Sequence, residues 1–383
     1  MEKSFNKNRV FTAACIGMCF FGIAMITLGA VLPALTEKLS LDNLQATALV
    51  AFLPLGMLVG SLVFGPIVDR YGHKALLIPS CIVVWAGLLG LSCFSSIPLL
   101  QLSIVCIGLG GGILNGETNA LVADIYDENE KGSRLSFLGV FYGLGALGIP
   151  SLLSFLSEYY SFETILQGIG LLMLVGILFC LPIRFPAPKQ AQGFPIKEGV
   201  KLLKEKGLLL LSFILFFQSG IESVCNNWSA LYFNQSTSIP ENQALLTLTC
   251  MLIGMTVARM LLVVLFKKIK QELVLTYSLL LTIVGYALLT FSPDVIRACT
   301  GMTLIGAGLA STFPVIFSIL GSRYPTLSGT AFSVALVVAL IGQNVMNSTM
   351  GVASQQLGSV IYPYFMIGSL CLMLLLFKIT LKK

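Results

Sequence analysis

Between Thr47 and Phe94 the chain turns apolar twice, over Thr47–Val68 and Ala75–Phe94, and the junction is the charged turn Gly65-Pro-Ile-Val-Asp69-Arg70-Tyr-Gly72-His73-Lys74. Each run is long enough to cross a bilayer as a helix. A polar turn this short, tethered to two such helices, has to sit at a membrane face, because charge is costly in hydrocarbon. The pattern repeats along the chain. Hydropathy predicts twelve spans, at about 10–34, 46–68, 75–95, 99–123, 135–157, 163–182, 208–233, 243–266, 271–292, 296–320, 327–349 and 358–379.

Composition points the same way. Of 383 residues, 56% are hydrophobic and only 10% charged, with a mean hydropathy of +0.92, against about 25% charge in a soluble domain. No soluble globule hides that much apolar surface, so the expected class is an all-α membrane protein whose backbone polar groups are satisfied inside helices. The ten cysteines are scattered singly, with no CxxC and no metal spacing, and read as small buried hydrophobes. The single histidine, His73, lies in the charged turn, so neither a histidine-based metal site nor a catalytic triad is expected. There is no phosphate loop, nucleophile elbow or zinc spacing; an enzyme, a metal and a cofactor are not expected. Gly110-Gly-Gly112 lies in a span, so a nucleotide cradle is not expected. The triplets Asn227-Trp-Ser229 and Asn347-Ser-Thr349 also fall inside spans, so they are not read as glycosylation acceptors. Nine polar, basic residues precede a first span too long for a signal segment, so no cleaved leader is expected.

Charge asymmetry predicts orientation. With both termini in the cytoplasm, 20 of the 23 Lys and Arg fall on cytoplasmic segments, Lys38 and Arg297 face outward, and Arg259 lies within a span. The net charge of +6 then reflects insertion into the cell (inner) membrane and contact with anionic lipid heads, not nucleic acid. The longest polar segment, Arg184 to Lys206, carries six Lys or Arg and reads as a cytoplasmic linker. It divides the chain into a six-helix bundle at 10–182, a linker at 183–207 and a second six-helix bundle at 208–379.

The two bundles echo each other. Gly56-Met-Leu-Val returns as Gly254-Met-Thr-Val, 198 residues later, and Ile107-Gly-Leu-Gly110 returns as Ile305-Gly-Ala-Gly308 at the same offset. Tyr126 then meets Tyr324, and Asp69-Arg70 meets Lys267-Lys268, so only the first copy of the charged turn is intact. The intact turn, G-x-x-x-D-R-x-G-x-K, resembles the signature loop between helices two and three of the major facilitator superfamily of secondary transporters. That resemblance implies twelve transmembrane helices in two pseudo-symmetric six-helix bundles, with the solute bound at the midplane between them. It also implies that Asp69, Arg70 and Lys74 form a gate on the cytoplasmic side, with Asp69 and Arg70 latching against the end of span eleven in the outward-open state.

Polar groups deep in a span mark where function concentrates. Glu222 sits near the middle of span seven, and Gln218, Glu222 and Asn226 are spaced by four, on one helix face, with Asn227 and Trp228 following. Amides and a carboxylate hydrogen-bond hydroxyls, and an indole packs on the apolar face of a sugar ring. A carboxyl taken out of water prefers its neutral form, which suits a proton carrier. Span four carries Asn115 and Asn119 one turn apart, with Glu117 pointing elsewhere, toward cation coupling or a structural pair with a neighbouring helix. Arg259 in span eight reads as a gate or structural charge. Gln343, Asn344 and Asn347 crowd span eleven with amides that suit either a wet cavity or helix–helix bonding. Span five has Gly139-Val-Phe-Tyr142-Gly-Leu-Gly145-Ala-Leu-Gly148-Ile-Pro150, a packing surface with Tyr142 as a possible contact.

The span-four glycine–asparagine run, the span-five run, Gly220-Ile-Glu222…Trp228 and Arg259 together resemble the fucose permease group of sugar–proton symporters. The resemblance implies cation-coupled symport of a sugar or similar polar solute by alternating access. Glu222 and Glu117 are the candidate coupling groups; Asn115, Asn119, Gln218, Asn226, Asn227, Trp228, Gln343, Asn344, Asn347 and Tyr142 are the candidate solute contacts. The chain departs from that group in having no acid between Val10 and Leu35 and in placing Asn115 where those symporters carry a glutamate. Sodium coupling or uniport therefore stays open beside proton coupling. A proton-driven exporter of amphipathic compounds and a transporter-like solute sensor are the alternatives. The expected partners are a small polar solute, a proton or sodium ion and the bilayer, with a monomer as the working unit.

Overall fold

The twelve apolar runs fold as helices in the computed structural model, which describes residues 5–189, 201, 202, 204–237, 239, 241–291 and 294–381. In chain order they are α1 (Lys7–Leu39), α2 (Asn43–Tyr71), α3 (Lys74–Cys93), α4 (Ile97–Ile125), α5 (Glu128–Leu156), α6 (Phe162–Cys180), α7 (Lys206–Ser236), α8 (Glu241–Leu265), α9 (Gln271–Thr290), α10 (Val295–Leu309), α11 (Thr312–Arg323), α12 (Ser328–Leu357) and α13 (Tyr362–Leu381). No strand occurs among the described residues. Polar residues at the helix starts accept from the otherwise unpaired first-turn N–H groups. Asn6, Asp42, Ser161 and Asp294 do so for α1, α2, α6 and α10, and Asp42 forms a reciprocal capping box with Gln45. Gly72 ends α2 at a φ of 82°, a conformation glycine adopts without strain.

Span ten is one apolar run in the sequence but two helices in the structure, α10 and α11, broken at Ala310 and Ser311. Pro314 supplies the reason: it has no N–H to return to the Ala310 carbonyl, and its ring crowds the preceding turn.

The chain groups into two units. One comprises Met1–Ile125, Val140–Gly199 and Tyr324–Ser333; the other comprises Tyr126–Gly139, Val200–Arg323 and Val334–Lys383. In the first unit α4 is the hub, packed by α1, α2 and α3, with α6 on α3. In the second unit α10 packs against α8 and α9, and α7 packs against α13.

The 198-residue echo is a packing echo. A Cβ on Gly56 would collide with the Val105 carbonyl, and one on Gly254 with the Thr303 carbonyl, two carbonyls that are themselves 198 apart. Gly110 lies against Ser80 and Val84, while Gly308 lies against Ser278 and Thr282, again at the same offset. In lipid, where apolar contact alone does not drive helices together, such close backbone approach supplies the packing energy. Gly254→Ala is expected to lower the thermal unfolding temperature in detergent, from overpacking that costs about 1–3 kcal/mol. Gly29→Ala, where a Cβ meets nothing within 4 Å, serves as the silent control.

Candidate substrate site and loop-side charge cluster

In the second unit the polar side chains of α7 and α12 converge on Asn347. Its Oδ1 accepts from Asn227 Nδ2 at 3.0 Å and from the Trp228 indole N–H at 3.3 Å. Its Nδ2 donates to Ser223 Oγ at 2.7 Å and to the Gln343 carbonyl at 2.7 Å. The two helices can approach because Gly342 lies against the Phe216 backbone and Gly220 against Met346. Trp228 runs along Gly351, with ring atoms 3.5–3.6 Å from where a Cβ would be. The result is an indole of fixed tilt, half-buried, with an asparagine amide, a hydroxyl and a second amide around its N–H edge. Ser223 is the member that amide-seeking sequence analysis misses; its signal was the four-residue step to Asn227. Asn226 and Asn344 make none of these bonds and are exposed, and Asn344 donates to its own helix at Leu340.

Gln218 sits deeper. It is fully buried, and its Nε2 donates to the Leu309 carbonyl at 3.1 Å, at the last residue of α10, where span ten breaks. Glu222, one turn on, is half-buried, beside Gln218 and within electrostatic reach of Arg259. Arg259 is buried and donates from Nη1 to the Gly139 carbonyl at 3.0 Å; Ser136 Oγ donates to its carbonyl at 2.8 Å. These bonds tie α8 to the first part of α5 inside the second unit. The acid and the base thus share one unit with the Asn347 cluster.

In the first unit Asn119 is buried and donates to the Asn115 carbonyl at 2.7 Å, which orders the two amides along α4. Tyr142 packs against Phe21, ring centroids 5.3 Å apart. Glu117 goes elsewhere. Its side chain is fully buried, and Oε1 lies 3.1 Å from His73 Nδ1. The other ring nitrogen, Nε2, lies 3.0 Å from Asp124 Oδ2. The signature turn is therefore built on a histidine clamped between two acids of α4, a pairing that the sequence does not advertise. Asp69 is 2% exposed and accepts from Gly329 N, Thr330 N and Thr330 Oγ1 at 3.1, 2.9 and 2.7 Å, at the start of α12. Lys74 donates to the Leu181 and Ile183 carbonyls, closing the end of α6. Arg70 lies over the Tyr71 ring, 5.8 Å from its centroid.

Twelve apolar helices with amides and acids in their interior define a multi-pass membrane transporter. The chain belongs to the major facilitator superfamily, whose family model matches residues 14–344. It is similar to the Escherichia coli inner membrane transport protein YdiN, 23% identical over 81% of this chain and 75% of that protein. It is also similar to the Bacillus subtilis glucose/mannose transporter GlcP, 25% identical over 88% of this chain and 90% of that protein. Among solved structures, the transporter FucP in its outward conformation superposes with a TM-score of 0.82 at 18% identity, covering 97% of this chain and 98% of that one. The proton:xylose symporter XylE superposes at 0.80 and 15% identity, covering 96% and 94%. At these identities the structural likeness establishes the shared fold.

Proposed function

We propose that this protein is a cation-coupled symporter, with the proton as the coupling ion, that carries a sugar or a similar polyhydroxyl solute by alternating access across the cell (inner) membrane, both termini lying in the cytoplasm. The observation that carries the reading is the Asn347 cluster. A half-buried indole offers its face to the C–H side of a ring, while Asn347, its own amide spent within the cluster, orders Asn227 and Ser223 so that Asn227 Oδ1 and the Ser223 O–H are left for hydroxyl groups. A cavity for lipophilic compounds would be lined differently, with apolar and aromatic groups in place of ordered amides. Within the first unit, Asn115 and Asn119 present a pair of amides on α4. The activities of GlcP, a glucose/mannose transporter, and XylE, a proton:xylose symporter, support the solute class and, for XylE, the coupling ion. Glu222 is the coupling group, with Arg259 as the counter-charge whose proximity decides when the proton is held. The loop-side contacts of Asp69 hold one of the two facing states.

Uptake into sealed vesicles tests this, with a panel of hexoses and pentoses and with imposed proton or sodium gradients. Proton-driven accumulation of at least one sugar is expected. Gradient-driven export of lipophilic dyes with no sugar uptake would overturn the reading. Asn347→Ala leaves the Asn227 amide, the Trp228 N–H and the Ser223 hydroxyl without their shared partner. The half-saturating sugar concentration is then expected to rise about tenfold or more, the equivalent of about 1.4 kcal/mol or more of binding. The maximal rate changes little if the loss is confined to binding.

A further inference from the structure

The signature turn holds a titratable group that the transport reading leaves unused. His73 is buried, and both of its ring nitrogens face carboxylate oxygens, Glu117 Oε1 at 3.1 Å and Asp124 Oδ2 at 3.0 Å. A neutral imidazole has one N–H, so against two ionised acids one of these contacts would set acceptor against acceptor. The imidazolium donates at both. Charge counts the same way: Glu117, Asp124 and Asp69 already outnumber Lys189 and a protonated His73 by one, and loss of the imidazole proton would double that excess. A larger negative charge held away from water is costly.

The cluster is wired to the start of α12. Asp124 Oδ1 accepts from Lys189 Nζ at 2.6 Å and from Ser328 Oγ at 2.9 Å, and Lys189 also donates to Ser328 Oγ at 2.6 Å. The next two residues, Gly329 and Thr330, donate their N–H groups to Asp69. One short segment, 328–330, is thus held by two acids at once, and His73 neutralises one of them. Every element around the ring contributes a group to this balance: Glu117 and Asp124 from α4, Asp69 from α2, Lys189 from the segment after α6, and Ser328 from α12. Cys81 of α3 and Cys180 of α6 lie near Glu117, and Lys74 is committed to the Leu181 and Ile183 carbonyls just past α6.

We propose that His73 is a proton-binding site coupled to the lock at the start of α12, so that release of segment 328–330 releases one proton from the imidazole. The site is separate from Glu222, and the inference does not depend on the identity of the solute. Burial works against the charge on His73, and the hydrogen bonds to Asp124 and Glu117 outweigh it, raising it from the usual 6.5 to about 9. Glu117 and Asp124 stay on α4 when the segment lets go, but water then reaches them, screens their hold on the ring and moves it down toward its ordinary value. The sign follows from linkage. The stabilisation of the lock is complete below about pH 6.5, declines as pH rises, and is gone once pH passes about 9. Between these limits each pH unit favours opening by up to about tenfold, at most on the order of a hundredfold in total.

Hydrogen–deuterium exchange of the peptide spanning 326–334, in the full-length protein in nanodiscs, reads the opening equilibrium once corrected for intrinsic exchange rates. Protection is expected to be flat below about pH 6.5, to fall by up to about tenfold per unit above it, and to level off beyond about pH 9. His73→Arg keeps a permanent charge and two donors, and is expected to give a pH-independent profile with protection retained. His73→Gln removes the titration with a smaller side chain and is expected to give an equally flat profile at lower protection. A wild-type profile flat across this range, or a slope that persists in either folded variant, overturns the proposal.

Discussion

Glu222→Gln is expected to abolish gradient-driven accumulation while leaving exchange of the solute across the membrane intact. Glutamine matches glutamate in size and hydrogen-bonds much as the protonated acid does, but it cannot lose a proton. The half-buried position on α7, beside Gln218 and within reach of Arg259, therefore keeps its packing and loses only its titration. In a one-proton symporter a potential of 100 mV supplies about 2.3 kcal/mol per charge moved, enough for an accumulation of roughly fiftyfold. In the variant that ratio is expected to collapse to about one, because uptake no longer costs the cell a proton and nothing biases the cycle. The measurement is steady-state solute concentration inside energised vesicles, beside counterflow without a gradient. Full accumulation in the variant would remove Glu222 from the coupling role. Loss of counterflow as well would make it a binding residue instead.

The fold was largely legible because lipid leaves few options. Apolar runs of about twenty residues have to be helices, and the turns between them have to be short and polar. The 198-residue echo was legible for the same reason that it exists: glycines at helix crossings cannot be replaced freely, so they stand out in an apolar background, and the structure shows each pair against matching carbonyls. The break in span ten was less visible, since hydropathy is blind to the backbone. Pro314 carried the signal, and Gln218 meets the chain at the break, with its amide spent on the Leu309 carbonyl.

The site was legible as residue types and not as a constellation. Helical spacing identifies residues on one helix but says nothing about which neighbouring helix they meet. Asn347 meets Asn227 and Trp228 across about 120 residues of sequence, and His73 meets Glu117 and Asp124 across 44 and 51. Glu117 illustrates the limit. Its offset from Asn115 and Asn119 showed that it points away from them, and only the fold shows that it points at the signature turn. Asn226 shows the converse: its four-residue step from Glu222 suggested a shared face, but the bonds run from Ser223 and Asn227, one residue around the helix.

Asp69→Asn is expected to weaken the loop-side lock by about 2–4 kcal/mol, the sum of lost charge-assisted bonds and a buried amide left facing donors. Asp69 accepts three hydrogen bonds from Gly329 and Thr330, in the first turn of α12, where backbone N–H groups have no helical partner and the helix dipole favours negative charge. Asparagine offers one oxygen where the carboxylate offers two, and its NH₂ then meets an N–H or a hydroxyl already committed as a donor. Restoring the charge with Asp69→Glu should not rescue the lock, because there is no room for the extra methylene. Gly65 approaches the Gly329 backbone so closely that a Cβ on either would collide, and Ser333 Oγ also donates to the Ser61 carbonyl beside it. Both variants should therefore unfold at a lower temperature than wild type at neutral pH, and a state that depends on this contact should lose about a hundredfold in population at 3 kcal/mol. Initial counterflow rates should fall with it, since a cycle needs both of its end states. An Asp69→Asn protein with wild-type unfolding temperature and rate would show that the three bonds stabilise nothing the cycle uses.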